Sequence, residues 1–132
     1  MLSHTRAMVA ATAYALVTGN KVAGLHDHAS HQDLDIAAER RGAELQGHDA
    51  QRDVRFGGAF PEIYDAGDKV FVSFEADGAI VKGYDRGSET FYEARVTDKR
   101  VQLYDHGAGA WFTFDVQDTD AAGNDLASSQ SG

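Results

Sequence analysis

The chain of 132 residues contains no cysteine and a single proline. Without thiols it can form no disulfide, zinc–thiolate or iron–sulfur centre, and it has no cysteine nucleophile. Basic residues are also scarce, since 12 Lys and Arg stand against 21 Asp and Glu and no basic run exceeds two residues. Nucleic-acid phosphates require a positive stripe, so a nucleic-acid partner is not expected. The length and the 42% hydrophobic fraction fit one globular domain.

Long hydrophobic runs are absent as well. The longest, AMVAATAYALV at residues 7–17, is too short to cross a hydrocarbon layer of ~30 Å as a helix, so no membrane span is predicted. Its length and basic flank match a signal peptide, but no clean cleavage site follows. We therefore expect a retained helix over residues 1–19, capped by Ser3 and ended by Gly19, in a cytoplasmic protein. Because the helix is apolar nearly all round, it should be buried in its own fold or against a partner.

A repeat of 20 residues runs through the second half of the chain. The pattern Tyr-Asp-x-Gly-x-x-x-aromatic begins at Tyr64, Tyr84 and Tyr104 and ends at Phe71, Phe91 and Trp111. Two weaker copies begin at His26 and His48. Such periodicity indicates one supersecondary unit used several times.

Alternation of apolar and polar residues predicts that each copy is a β-hairpin. If residues 106–109 form the loop, Tyr104 lies opposite Trp111 and Leu103 opposite Phe112. The same arithmetic predicts four further cross-strand pairs: Tyr84/Phe91, Tyr64/Phe71, His48/Arg55 and His26/Asp33. Aspartate in the loop accepts hydrogen bonds from nearby backbone N–H groups, and glycine accepts positive φ, so the loop aspartates are interpreted as turn formers.

Five such hairpins over residues 20–117 predict an all-β, up-and-down meander of about ten strands with one N-terminal helix. Sheets of that size usually curl or close, which also removes exposed edges. A closed barrel or strongly curled sheet is favoured, with the helix covering or plugging its apolar face; a flat open array is the alternative. Residues 118–132 are polar and acidic and are interpreted as a flexible tail.

The aromatic pairs are the first candidate site, comprising Tyr64, Phe71, Tyr84, Phe91, Tyr104 and Trp111. A ladder of rings can stack on a sugar, a flat ligand or a partner protein, whereas the structural interpretation is that the rings brace the hairpins or face the helix. An apolar patch of this size predicts a homo-oligomer, most simply a dimer, formed through the surface of residues 84, 91, 104 and 111 or through the helix.

The histidines are the second candidate site. His26, His28 and His31 form an H-x-H-x-x-H string, and His48 holds the equivalent place in the next hairpin. Alternation puts His26 and His28 on one side of a strand, as two ligands of zinc, nickel or copper would require. The alternative is that they are ordinary exposed polar residues.

Catalysis has little support in the sequence. No Gly-x-Ser-x-Gly elbow, phosphate loop or dinucleotide fingerprint occurs, although His26 could form an acid–base pair with Asp33 or Asp35, which are expected on one face near it. The sequence therefore predicts a non-enzymatic binding or assembly module without a cofactor, recognising a second copy, another protein or a small molecule. A barrel that binds a small apolar ligand is the first alternative, and a histidine-rich metal-binding protein or metal-dependent enzyme is the second.

Overall fold

The structure, a computed structural model, describes residues 1–117, so the tail predicted at 118–132 lies outside the described residues. One helix, α1 (Ser3–Thr18), precedes twelve strands that pair only antiparallel in this part of the chain. The strands are β1 (Leu25–Asp27), β2 (Gln32–Leu34), β3 (Ile36–Arg41), β4 (Glu44–Asp49), β5 (Val54–Ala59), β6 (Glu62–Asp65), β7 (Val70–Ser73), β8 (Glu75–Asp77), β9 (Ile80–Asp85), β10 (Thr90–Thr97), β11 (Arg100–Asp105) and β12 (Ala110–Val116).

The strands form one nearly closed, barrel-like sheet. Neighbours follow the order β2-β1-β12-β11-β10-β9-β7-β6-β5-β4-β3, with β8 paired to β9. The two ends of this path are brought together by Val22, just before β1, which exchanges backbone hydrogen bonds of 2.8 and 3.0 Å with Ala38 of β3. The predicted meander of hairpins is therefore confirmed, and its edges are almost completely paired.

The number of strands exceeds the expected ten because two of the predicted strands are divided. One is interrupted at Asp35, between β2 and β3, and the other at Phe74, between β7 and β8. At the second break the chain bulges toward β9, where a Cβ on Gly83 would collide with the carbonyl oxygen of Ser73. Glycine at position 83 is what permits this close approach.

The registers of the predicted hairpins agree with the structure. Tyr104 pairs with Trp111 and Leu103 with Phe112 across β11 and β12. The other four predicted pairs are also present, Tyr84/Phe91, Tyr64/Phe71, His48/Arg55 and His26/Asp33. Inward positions on the same strands are apolar, as at Ile63, Val81 and Leu103, which are fully buried.

Helix α1 lies inside the sheet and contacts most of its strands, namely β1, β3, β4 and β8–β12. From Thr5 to Ala15 almost every side chain is less than 5% exposed, around the whole circumference of the helix. Five alanines in this span, at positions 7, 10, 11, 13 and 15, keep the helix narrow. An α-helix with ordinary side chains is ~10–12 Å across, so small residues let the surrounding strands approach closely.

The two ends of α1 differ from each other. Gly19 adopts φ 73° and donates its backbone N–H to the carbonyl of Ala15 at 2.9 Å, which confirms the predicted stop. The predicted cap at Ser3 is wrong, because the helix begins at Ser3 itself and Leu2 occupies the capping position without a side-chain hydrogen bond. Among residues 1–117, no helix has the length and hydropathy required to cross a membrane.

The buried position of α1 makes a testable prediction about stability. Met8 is fully buried against the barrel wall, whereas Leu2 is 58% exposed. Met8→Ala should lower the free energy of unfolding by about 2–5 kcal/mol, because truncation leaves a cavity in a packed interior. Leu2→Ala, the control, should change it by less than about 0.5 kcal/mol. Urea unfolding measures both, and equal small effects would mean that the helix does not lie in the core.

Candidate functional site

A ring of buried aspartates lies at the end of the barrel where the helix begins. Each comes from the last residue of the first strand in a hairpin, and none is more than 9% exposed; they are Asp27, Asp49, Asp65, Asp85 and Asp105. The adjacent Tyr or His points outward, so the aspartate must point inward, because successive strand residues alternate between faces. We call this set the aspartate ring.

Each ring aspartate organises its own hairpin loop. The Oδ1 atoms of Asp65, Asp85 and Asp105 accept hydrogen bonds from the backbone N–H two residues later, at 2.9–3.0 Å. Asp27 does the same with the N–H of Ala29 at 2.9 Å. The interpretation of these aspartates as turn formers is therefore consistent with the structure, which adds that they are buried.

Three members of the ring also bind a positive group. Arg52 donates to Asp49 at 2.7 Å and to Asp65 at 2.9 Å, so one guanidinium links two loops. Asp105 lies 3.1 Å from the amino group of Met1 and 3.3 Å from Arg6. These contacts compensate buried negative charge that would otherwise be costly.

The positive partners determine the protonation of the ring. Burial by itself would raise the pKa of Asp65, but hydrogen bonds from Arg52 and from the N–H groups of Asp68 and Gly67 hold the pKa below its ordinary value. The pKa of Asp105 is lowered in the same way, by the amino group of Met1 and two backbone N–H groups acting against burial. Both carboxyls are therefore charged at neutral pH.

One group of ligand-type side chains at this end has the spacing of a metal site. Within residues 1–117, only His4, Asp65 and Asp68 bring three such atoms within 4.8 Å of one another. His4 Nε2 lies 2.7 Å from Asp68, and Arg52 already binds Asp65 and lies 3.8 Å from Asp68. A cation placed here would have to displace a guanidinium, so the arrangement fits an ion-pair network better than a metal centre.

On the outer face the six predicted aromatic residues form three cross-strand pairs in successive hairpins, which we call the aromatic belt (Tyr64, Phe71, Tyr84, Phe91, Tyr104 and Trp111). Its three pairs are in ring contact, with centroids 4.9, 4.7 and 5.1 Å apart in chain order. The rings do not touch α1, which lies on the other side of the sheet. The helix therefore does not cover the aromatic belt.

The belt is largely accessible to solvent. Phe91 is 63% exposed, Trp111 48%, Phe71 44% and Tyr64 37%. With Leu2, these four are all the large hydrophobic side chains that are exposed in residues 1–117. Large apolar side chains are therefore concentrated on one band of the surface.

Charged groups around the belt are paired with one another. Glu93 accepts from Arg95 at 2.9 Å and lies 4.0 Å from Lys82. The guanidinium of Arg95 also lies 5.0 Å from the centre of the Trp111 ring. The belt is thus locally balanced in charge on a chain whose net charge is −9.

The structure brings together two of the four histidines named as metal ligands. The rings of His26, on β1, and His28, just after β1, are 5.3 Å apart. His31 lies in the exposed loop, and His48 lies on β4, which is not adjacent to β1. The four therefore do not form one cluster.

Carboxylates bind each of the paired histidines. His26 Nδ1 contacts Asp33 at 2.8 Å, and His28 Nε2 contacts Asp115 at 2.7 Å. Hydrogen bonds from Arg100 and from His28 lower the pKa of Asp115 to about 2. The acid–base geometry expected of His26 and Asp33 is present, but both side chains are more than a third exposed.

Sequence reasoning identified the belt but missed the inward position of the ring. The signal was available, because a Tyr-Asp dipeptide in a strand must put one side chain on each face. The role of Arg52 had no comparable signal, since its second partner, Asp65, lies in a different hairpin.

Neither models of protein families, nor curated proteins, nor solved structures provide a match to this chain.

The aspartate ring makes a prediction about stability and pH. Arg52→Met should lower the free energy of unfolding at pH 7 by about 3 kcal/mol, because Asp49 and Asp65 would be left buried without their cation. The exposed pair of Arg41 and Glu39 provides the control, since Arg41→Met should cost less than about 1 kcal/mol.

The pH dependence gives a second readout of the same variants. The pKa of Asp65 is lower in the folded protein than in the unfolded chain. Its contribution to the free energy of unfolding is therefore fully present above the ordinary aspartate pKa near 4 and is lost as the pH falls toward the folded pKa. The deficit of Arg52→Met, measured by urea unfolding, should therefore shrink as the pH falls below about 4. A deficit independent of pH would show that Arg52 stabilises the protein by packing alone.

Proposed function

We propose that the chain is a non-enzymatic assembly module whose aromatic belt is the contact surface and whose partner is a second copy of the chain. The observation that carries the proposal is the belt itself: three packed pairs of rings on the outside of a barrel, with four of the rings more than a third exposed. Exposed apolar side chains gathered in one region of a surface often mark a site of protein–protein contact.

The composition of the belt supports protein contact. Tyrosine and tryptophan are enriched at the energetic centres of interfaces, because their rings bury much area with few rotatable bonds. Here each ring already rests against its cross-strand partner, for example Tyr84 against Phe91. Less conformational entropy is lost on binding when the contact surface is ordered beforehand.

The balance of charge supports a second copy as the occupant. Two chains of net charge −9 repel each other, so they can meet only where the local charge is small. Glu93 is paired with Arg95 and Lys82, and Glu62 lies 3.4 Å from Arg86, so the acidic groups beside the belt are matched by bases. The belt is a surface on which two acidic molecules can approach.

The four rings named for the interface lie on neighbouring strands, as a two-fold contact requires. Tyr84, Phe91, Tyr104 and Trp111 lie on four adjacent strands, β9–β12, which at about 4.8 Å per strand span about 15 Å. A symmetric interface uses the same patch on both subunits and covers it completely. The buried span of α1 offers no such surface, since it lies inside its own barrel.

The interior of the barrel supports this choice over a ligand-binding barrel. A barrel of this size encloses a ligand when side chains leave the centre open. Here α1 occupies the centre, with Val9, Ala11 and Ala13 fully buried against the wall. A surface role is therefore better supported than binding of an apolar molecule in the barrel core.

The proposal predicts that the chain is dimeric in solution and that the belt holds the dimer together. The double variant Phe91→Ser/Trp111→Ser should weaken dimerisation at least tenfold, because two exposed aromatic anchors are removed. Gln46→Ser, an exposed outward position on β4 and so outside strands β9–β12, is the control and should leave the dimer intact. Sedimentation equilibrium from low to high micromolar concentration measures the masses.

Two results would contradict the proposal. One is a wild-type chain that is monomeric at high micromolar concentration. The other is a double variant that loses thermal stability but keeps the wild-type mass, which would mean that the rings brace the hairpins and make no contact with a second copy.

A further inference from the structure

Two members of the aspartate ring lack the positive partner that the others have. Among the described residues, Asp85 accepts from the N–H of Gly87 at 3.0 Å and from the hydroxyl of Ser88 at 2.6 Å, and from no basic group. Asp27 is bound in the same way, by Ala29 and Ser30. In both hairpins a serine stands three residues after the aspartate, which completes the turn but supplies no charge.

An open cavity of about 400 Å³ lies beside Asp85, between its hairpin loop and the first turn of α1. Its lining includes two carboxylates, those of Asp85 and Asp68, and the side chains of Leu2, Thr5 and Val70. The volume lies within the range of about 300–1,000 Å³ that is usual for small-molecule sites. The carboxylate of Asp85 is only 2% exposed, so the charge sits at the inner wall.

Thr5 provides an independent indication that this cavity receives a polar ligand. Its side chain lines the cavity and is 3% exposed, and its hydroxyl has no hydrogen-bond partner within the described part of the chain. Buried hydroxyl groups in proteins are nearly always hydrogen-bonded. The Thr5 hydroxyl has no partner, and the Asp85 carboxylate beside it has no counter-ion. Together they can accept hydrogen bonds from a ligand that carries donor groups.

The charge of the site selects a cation. The start of α1 carries about half a positive charge, which by itself favours an anion. The carboxylate of Asp85 outweighs it and is the main anchor, because Asp68 already lies 2.7 Å from His4 and 3.8 Å from Arg52. Leu2 and Val70 make part of the lining apolar, which suits a ligand with a short hydrocarbon portion better than a bare metal ion.

We propose that this cavity binds a small organic ammonium ion. The ammonium group donates to the carboxylates of Asp85 and Asp68 and to the hydroxyl of Thr5. The hydrocarbon portion packs against Val70 and toward Leu2 at the mouth. Binding gives Asp85 a positive partner. Asp65 already has one in Arg52, and Asp105 has two, Arg6 and the amino group of Met1.

The second ring position without a basic partner offers a matched control. Asp27 lines a separate cavity of about 180 Å³ on the other side of the helix, below the usual size of a ligand site. Asp27→Asn therefore makes the same chemical change in the same kind of turn, away from the proposed site.

The experiment is an NMR titration of amide shifts with n-butylammonium chloride at constant ionic strength, with 1-butanol and butyrate as neutral and anionic comparisons. Shift changes should centre on Thr5, Gly87 and Ser88 with n-butylammonium only. Thr5→Val, which keeps the volume and removes the hydroxyl, should weaken binding about threefold to tenfold. Asp85→Asn should weaken it more than about tenfold, and Asp27→Asn should bind like the wild type.

Several outcomes would overturn the inference. They are equal shifts with 1-butanol, shifts centred elsewhere on the protein, or wild-type binding by both Asp85→Asn and Thr5→Val. If Asp85→Asn does not fold, Thr5→Val and the cavity-filling variant Val70→Phe test the site instead. Loss of n-butylammonium binding in both variants supports the site, and wild-type affinity in both refutes it.

Discussion

The enclosure of α1 by the sheet is the constraint on which the rest of the structure depends. A sheet of this many strands closes around a wide interior, and side chains from the wall alone do not fill it. A narrow, alanine-rich helix does, and it buries Met8, Val9 and Tyr14 against the wall in doing so. The inward positions of the hairpins along the helix are accordingly mostly apolar, whereas the outward positions are left for other uses.

The same constraint explains the aspartate ring. The helix begins at the end of the barrel where the five aspartate-bearing loops lie, so its unpaired N–H groups and partial positive charge face the loops. The helix has no acidic residue in its first turn and no side-chain cap. The loops supply the negative charge that α1 itself lacks. Part of the negative charge of the aspartate ring is in turn paired with Arg52, Arg6 and the amino group of Met1.

One dipeptide therefore builds both candidate surfaces. In each Tyr-Asp pair the tyrosine extends the aromatic belt on the outside, and the aspartate extends the ring on the inside. Repeating the motif every 20 residues repeats both features around the barrel. The position three residues after the aspartate varies: Arg52 pairs with Asp49 and Asp65, whereas Ser30 and Ser88 bind Asp27 and Asp85 without supplying charge.

Much of the fold follows from the sequence because its signals are local. Alternation and the Asp-x-Gly loops determine which residues pair, as for Tyr104 with Trp111, and Gly19 determines where the helix ends. The nearly uniform apolarity of residues 7–17 also requires that the helix be buried. Each of these depends on residues close together in the chain, whose geometry the backbone dictates.

Only the tertiary structure decided whether the helix covers the sheet or lies within it. Closure depends on the twist and stagger accumulated over all strands, which no single repeat encodes. The division of strands at Asp35 and Phe74, the bridge from Arg52 to Asp65 and the separation of His48 from His26 follow from that closure. These features depend on how residues from different hairpins are placed relative to one another, and that placement is set only when the barrel forms.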